Sequence, residues 1–479
     1  PPPPASPDAM ADVGPSAGAA DATVEQSVAA PELEPHEGGE VRVSPDQPVN
    51  CVYVSFKGLK RVSPHSLIGE CQALGNARDL GGVGLAIQDA QRRLTELNLL
   101  KSLKADVSLE PNGVVDVAFV VEERGRECTI SGNVDKKGEV SCDLRVTQPA
   151  LLGGPLSAMG SIGSTASQAR EFLLRLSTPR FLGRCASWSF DAARSSSDER
   201  EASSYSERIT HAVMKLSDSA GVHSIFAEAA IRDLYPATDG LRLPSAEILQ
   251  AQHRSVKTSL RYTFLWSSRL PGVDPNSGPG ASMRNDFEVA GLFGDVRFVR
   301  NEASASASIP LPGGLLWHLG GSCGALFPTG GRPTCLQDRF FLGGASGSTS
   351  VFKGFAHRGL GPVGFCKLRD PEKQTKHLTD ALGGDLMWNT FTAVSAPVLI
   401  PSGPSGSGID GRVFGFMGLG ALARQPCTGR GDIVQSLRDG VRASAGLGVG
   451  MPLPGMGTLE LTFAYPFWSH RHDLRQRWQ

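Results

Sequence analysis

Three short patterns in this 479-residue chain have residue types that could carry bond chemistry. Gly320-Gly321-Ser322-Cys323-Gly324 has the G-x-S-x-G spacing that presents a serine nucleophile at a sharp strand-to-helix turn. Here residues 315–319 before it and Ala325-Leu326-Phe327 after it both read as strand, and no acid and histidine are placed around it. An enzyme is therefore not expected. His470 and His472 flank Arg471 and read as a turn, so no metal site is expected, and Arg430-Gly431-Asp432 is a coincidence of three loop residues. The nine cysteines are odd in number and scattered, the closest pair being Cys323 and Cys335. None has zinc-ribbon or redox-pair spacing, so free thiols and no cofactor are expected.

The background these patterns sit in narrows the function classes. The 47 basic residues nearly cancel the 48 acidic ones, and no local basic patch stands out, so no nucleic-acid partner is expected. No window holds the 18 or so apolar residues that a membrane helix needs, which leaves β-barrels untouched because their strands alternate. No basic region followed by an apolar core opens the chain, so no secretory signal is expected. A barrel without one points to an organelle.

Along the chain, residues 1–48 are rich in Pro, Ala and acids without hydrophobic period, and are expected to form a disordered N-terminal tail. Residues 49–125 read as a small α+β domain of order β-α-α-β-β. A strand spans 51–56, Ser63-Pro64 opens a helix that runs through Ala73, and residues 75–84 form a loop. Leu85, Ala86, Ala90, Leu94, Leu97 and Leu100 then repeat at helical spacing, ahead of strands at 105–110 and 114–121. Residues 126–150 read as a linker. From 151 to 479 period-two patterning dominates. In residues 256–266, Val256, Thr258, Leu260, Tyr262, Phe264 and Trp266 share one face, opposite Lys257, Ser259, Arg261 and Thr263. Leu459, Leu461, Phe463, Tyr465 and Phe467 repeat this against Glu460, Thr462 and Ala464. Such strands have the length and aromatic ends of lipid-facing barrel strands, so the lipid bilayer is an expected partner.

The segment from Arg339 reads R-F-F-L-G-G-A-S-G-S-T-S-V-F-K-G-F-A-H-R-G-L-G-P. It resembles the R-F-x-L-G-G-x-T-S-V-R-G-F phrase of the barrel subunit of the mitochondrial sorting and assembly machinery, in the superfamily that joins POTRA domains to a 16-stranded outer-membrane barrel. Arg339, Phe340, Leu342, Gly343, Gly344, Thr349, Ser350, Val351, Gly354, Phe355, Gly361 and Pro362 hold matching roles. The resemblance extends over about 50–479 and makes residues 49–125 a POTRA-like domain. It implies an inward-folding loop near 343–362 with the motif Val351, Phe352, Lys353, Gly354 and Phe355. Lys353 stands where the family has arginine and keeps the charge without the bidentate fork. The usual acidic or amide position on the facing strand looks like Gly418, so Asp385 is the expected partner of Lys353.

The resemblance further implies an insertase that folds β-barrel precursor proteins into the mitochondrial outer membrane, adding client strands at a lateral gate. That gate's first strand is expected at Leu156, Ala158, Gly160 and Ile162. Peripheral subunits of an assembly complex are expected partners, and the POTRA domain is expected in the intermembrane space. After Phe467 only the final turn and the opening of a last strand remain, so that strand is expected to be missing. The alternative function is a polypeptide-transport or passive pore barrel of the same superfamily.

Overall fold

The computed structural model describes residues 47–110, 112–134, 140–165, 170–180, 186–238, 242–269, 278–344, 352–368, 379–401, 408–424, 431–453 and 457–479. Of the expected tail only Gln47 and Pro48 are described, and Val351 lies outside the described residues.

A small α+β domain comes first. Strand β1 (Cys51–Lys57) pairs in parallel with β3 (Val114–Glu123), which pairs antiparallel with β2 (Leu100–Leu109). Helices α1 (Pro64–Ile68) and α2 (Leu80–Glu96) bracket a 3-10 segment at Gly69–Asn76. Helix α2 starts earlier than the glycine run 81–84 leads one to expect. Asp79 caps it, its carboxylate accepting from the Gly82 N–H at 2.7 Å, and one satisfied N-terminal donor offsets the poor helix propensity of the glycines. Val83, Ala86, Ala90 and Leu94 of α2 then pack on Val115, Val117 and Phe119 of β3 as one buried core. Glu123 ties the domain's end to its beginning. One carboxylate oxygen accepts from the backbone N–H groups of Lys60, Arg61 and Val62 at 2.6–2.8 Å. Burial works to raise the Glu123 pKa, and these donors outweigh it, holding the carboxyl below its usual range.

The remainder is a fifteen-stranded antiparallel meander. Its strands are β4 (Glu127–Val134), β5 (Val140–Leu151), β6 (Leu156–Thr165), β7 (Arg170–Thr178), β8 (Ala186–Asp198), β9 (Tyr205–Asp218), β10 (His223–Pro236) and β11 (Arg254–Ser267). They continue as β12 (Gly280–Ala290), β13 (Phe298–Pro310), β14 (Leu316–Pro328), β15 (Leu386–Pro401), β16 (Gly408–Ala423), β17 (Val441–Leu453) and β18 (Gly457–Trp468). Each strand pairs with its sequence neighbours, leaving β4 and β18 as the two edges.

The sheet is inside-out by the standards of a protein in water. Along β11, Ser255, Lys257, Ser259 and Thr263 are buried while Val256, Leu260, Tyr262 and Trp266 are exposed. Along β18, Thr462 and Ala464 are buried while Leu459, Leu461, Phe463, Tyr465 and Phe467 are exposed. Arg232, Glu288, His318 and Arg442 are also buried, whereas Ile225, Phe287, Val289 and Leu447 are not. A sheet with a polar inner face and an apolar outer face matches an apolar surrounding, the condition of a transmembrane barrel. Among the described residues no helix is long and apolar enough to cross a membrane, so any crossing is made by strands.

Two expectations are corrected here. Residues 126–150 are not a linker: they hold β4 and β5, the first hairpin of the sheet. In β5, Leu144 and Val146 face outward and Asp143 and Arg145 face the other way, a short alternation broken by Pro149 and too weak to stand out. The first strand is consequently β4, and the stretch holding Leu156, Ala158, Gly160 and Ile162 is β6, paired on both sides by β5 and β7. A strand with both edges filled cannot accept another.

The small domain sits on the β5–β6 turn. The Ser63 N–H donates to the Gly153 carbonyl at 2.8 Å, Ala150 joins the domain's core, and Arg180 beyond β7 reaches Glu70 at 3.3 Å and Glu96 at 2.9 Å. The longest connections leave the opposite end of the sheet. They are 237–253, 329–385 and 424–440. Part of this material pairs with itself, Arg242–Leu243 with Lys367–Leu368 and Val363–Phe365 with Thr379–Ala381, and covers that end around Tyr205, Leu234, Ile248, Leu336 and Leu382.

Candidate functional site

The connection between β14 and β15 turns back onto the polar inner face of the sheet, and its anchors can be followed residue by residue. At its start, Asp338 accepts both arms of the Arg232 guanidinium from β10, at 2.7 and 3.1 Å. Lys257 of β11 lies 2.7 Å from Glu288 and 3.5 Å from Glu228, completing a buried charge network beneath the loop. Arg300 of β13 stacks on the Phe340 ring at 4.4 Å. Such a network fixes where the loop leaves the wall more reliably than it adds stability.

Asp385 belongs to this base and not to the tip. Arg339 Nε donates to Thr334 Oγ1 at 3.0 Å, and that hydroxyl donates to Asp385 at 2.6 Å. The structure places Lys353 elsewhere: its ammonium pairs with Glu460 on the inner face of β18, over the rings of Phe414 and Phe416 at 5.3 and 5.7 Å. The expected Lys353–Asp385 contact is therefore corrected. Asp385 opens β15 at the rim, where its backbone N–H bonds to Ala423, whereas Lys353 is carried across the lumen to the closing strand.

The motif residues pack accordingly. Phe352 lies against the bare backbone of β16, where a Cβ on Gly420 would come within 2.9 Å of its ring. Gly418 also faces that ring. Gly354 has φ +94, a conformation that favours glycine, and it runs close to the wall, where a Cβ would meet Ser444 and Ala464 at 3.3 Å. Ser444 Oγ donates to the Lys353 carbonyl at 2.7 Å, and Phe355 is fully buried beside Phe352. Beyond the tip, Arg358 donates to the Tyr205 hydroxyl at 2.7 Å, sits over Phe341 at 4.2 Å and lies 3.5 Å from Glu199.

The C-terminal residues grip the loop as well. Gly354 and Ala356 donate N–H bonds to Gln479 Oε1 and the Leu474 carbonyl at 3.0 and 2.8 Å, and Gln476 N–H returns one to Gly354 at 3.0 Å. The same segment pairs antiparallel with the free edge of β18, through Thr462–Gln479 and Ala464–Arg477. Arg442 holds its turn in place, both guanidinium arms reaching Asp473 at 3.1 Å. The inward loop is thus hydrogen-bonded to the C-terminal residues that lie beside β18.

Sequence reasoning singled out Lys353, Gly354 and Phe355 but missed Glu460, Arg442–Asp473 and Arg232–Asp338. A signal for Glu460 was present, since it is the acid on the polar face of the strand at 457–468. Ser322 of the G-x-S-x-G pattern lies within β14 and donates to Asn389 at 2.6 Å, so it stands on no turn. No group of metal-binding side chains occurs among the described residues. The arrangement is suited to fixing the conformation of β18 and of the C-terminal residues beside it.

Comparison with known proteins agrees with this geometry. Residues 150–479 match the model of the Omp85 superfamily domain. Sorting and assembly machinery component 50 homolog A of Xenopus laevis is 25% identical over 449 residues, covering 91% of this chain and 89% of the relative. Its Mus musculus counterpart is 25% identical over 451 residues with the same coverage. Among solved structures, BamA from Haemophilus ducreyi lacking POTRA domains 1-3 superimposes with a TM-score of 0.70 at 17% identity, covering 90% of this chain and 83% of that one.

Proposed function

The chain belongs to the Omp85 superfamily, and from that premise we propose that it folds and inserts β-barrel precursors into the mitochondrial outer membrane. The observation that carries this reading is the two ends of the sheet, the edge of β4 and that of β18, the latter holding only the short C-terminal segment through Thr462–Gln479 and Ala464–Arg477, with the inward loop fastened to β18 through Lys353 and Glu460. An edge offers a row of backbone donors and acceptors to which a client strand can add. Strand β4 carries Thr129, Ser131, Gly132 and Asn133, few of them bulky, so its hold on any neighbour is weak. The client adds at the β4 edge and takes the place of the short C-terminal segment at β18, and the loop keeps β18 in register while it does so. No covalent bond is made or broken. The names of the amphibian and mouse relatives, components of a sorting and assembly machinery, support an assembly role.

In this reading residues 49–125 are a POTRA domain, placed in the intermembrane space, and the long connections at 237–253, 329–385 and 424–440 face peripheral subunits on the other side. The test is reconstitution into liposomes with an added mitochondrial porin, whose folding is followed by protease protection. Faster porin folding that Lys353→Ala weakens is the expected result. No acceleration, with ion conductance intact, would make the chain a passive pore.

A further inference from the structure

The turn between β12 and β13 carries Gly291-Leu292-Phe293-Gly294, and it is clasped to the outer face of β11. The Gly291 N–H donates to the Thr258 carbonyl at 3.0 Å and the Asp295 N–H to the Val256 carbonyl at 2.9 Å. Thr258 points outward, and its hydroxyl closes both ends of one residue: it accepts from the Phe293 N–H at 2.8 Å and donates to the Phe293 carbonyl. Asp295 turns back to accept from the Val256 N–H at 3.2 Å. Gly294 has φ +101, and a Cβ there would lie 2.4 Å from the Val256 carbonyl oxygen, so the turn fits only this backbone. What this clasp presents is two bare apolar side chains, Leu292 at 70% and Phe293 at 78% exposure.

The surroundings identify what covers them. Val256, Leu260, Tyr262, Phe287 and Val289, the outward residues beside the turn, belong to the same exposed apolar band. Toward the long-connection end, this band stops at a charged ring in which Arg254 pairs with Asp233 at 2.9 Å and Arg208 lies over Tyr235. Thr258 is four residues along β11 from Arg254. At about 3.3 Å per residue and a strand tilt of about 40°, that places it about 10 Å beneath the ring. At that depth a lipid-facing hydroxyl needs an internal partner, and the Phe293 backbone supplies one. A docking protein from the aqueous side would have to pass the charged ring to reach this level.

We propose that Leu292 and Phe293 form a rigid finger seated among the acyl chains of the leaflet on the long-connection side, anchoring the barrel wall opposite the β4–β18 edges. The proposal rests on the membrane-spanning reading of the sheet. Its test places trifluoromethyl-phenylalanine singly at position 293, 287 or 365 in the full chain, reconstituted in phosphatidylcholine–phosphatidylethanolamine vesicles for fluorine NMR. Phe287 is the lipid-facing reference and Phe365, 66% exposed beyond the sheet, the aqueous one. Two broadening agents are compared, a nitroxide on the upper acyl chain and a gadolinium chelate in water. The signal at 293 is expected to follow 287, broadened by the nitroxide and spared by the chelate. A signal that follows 365, or that ignores both agents while 287 responds, overturns the finger and in the second case assigns it to a contact with another copy of this chain. Failure of 287 itself to respond would instead sink the membrane-spanning reading. Thr258→Val should narrow the 293 line several-fold and Thr258→Ser should restore it; an unchanged line in Thr258→Val would refute the clasp.

Discussion

The link between Lys353 and Glu460 makes a quantitative prediction. The Lys353 side chain is 19% exposed and that of Glu460 31%, so the pair is half-sheltered and a deep-burial energy of about 3–5 kcal/mol does not apply. Discounted for that exposure, the charge contact contributes on the order of 1–2 kcal/mol. The two aromatic faces under the ammonium add about 0.5–1 kcal/mol each. Lys353→Met removes all three contacts and should weaken loop docking by about 2–4 kcal/mol, whereas Glu460→Gln removes the charge contact alone and should weaken it by about 1–2 kcal/mol. The double variant should cost about as much as Lys353→Met by itself, leaving a coupling of roughly 1–2 kcal/mol in the cycle. Hydrogen exchange of the peptide spanning 352–360 in reconstituted protein reads these terms. A loss of about 2 kcal/mol appears as exchange about 30-fold faster, given a tenfold change per 1.4 kcal/mol. Additive single effects, with no coupling, would show that the two charges do not meet.

Three further outcomes follow from other contacts. Gly420→Ala puts a methyl group within 2.9 Å of the Phe352 ring and should destabilise the seated loop by about 1–3 kcal/mol, read as a lower heat-modification midpoint on gels. Arg442→Met leaves Asp473 buried without its bidentate partner and should cost about 3–5 kcal/mol locally, seen as protease cleavage within 468–479. Glu123→Gln should loosen the Lys60–Val62 turn. Because the folded pKa of Glu123 lies below its unfolded value, its stabilisation is fully present above the unfolded pKa and is lost as pH falls through the folded one. The difference between wild type and variant, followed by proteolysis of residues 47–125, should therefore vanish in acid, and a difference that persists there would refute it.

The outward faces of β11 and β18 were legible because about ten residues of strict alternation, ending in aromatics, suit a wall that is apolar outside and wet inside, and suit few sheets that face water. The small domain was legible because its second helix keeps a 3.6-residue period over several turns. Strands β4 and β5 were not, since their apolar residues are few and interrupted. The loop's conformation-setting glycines and phenylalanines could be named from sequence, but not the carboxylate that Lys353 meets. A sequence tells which face of a strand Glu460 occupies. It does not tell which rung lies across the lumen from residue 353, because that depends on the tilt and stagger of every strand between them.

The long connection at 329–385 also bears on how the chain reaches this state. Strands β4 to β14 and strands β15 to β18 are two runs of hairpins whose partners are sequence neighbours, so each can zip locally. The β14–β15 pairing alone must close a loop of several dozen residues before its ladder is rewarded, and the entropy of that closure falls on one step. The loop is tied to the first run through Asp338 and Arg232 and to the second through Lys353 and Glu460. Docking of the loop therefore ties the eleven-strand run to the four-strand run and offsets part of the entropy of closing the connection between them.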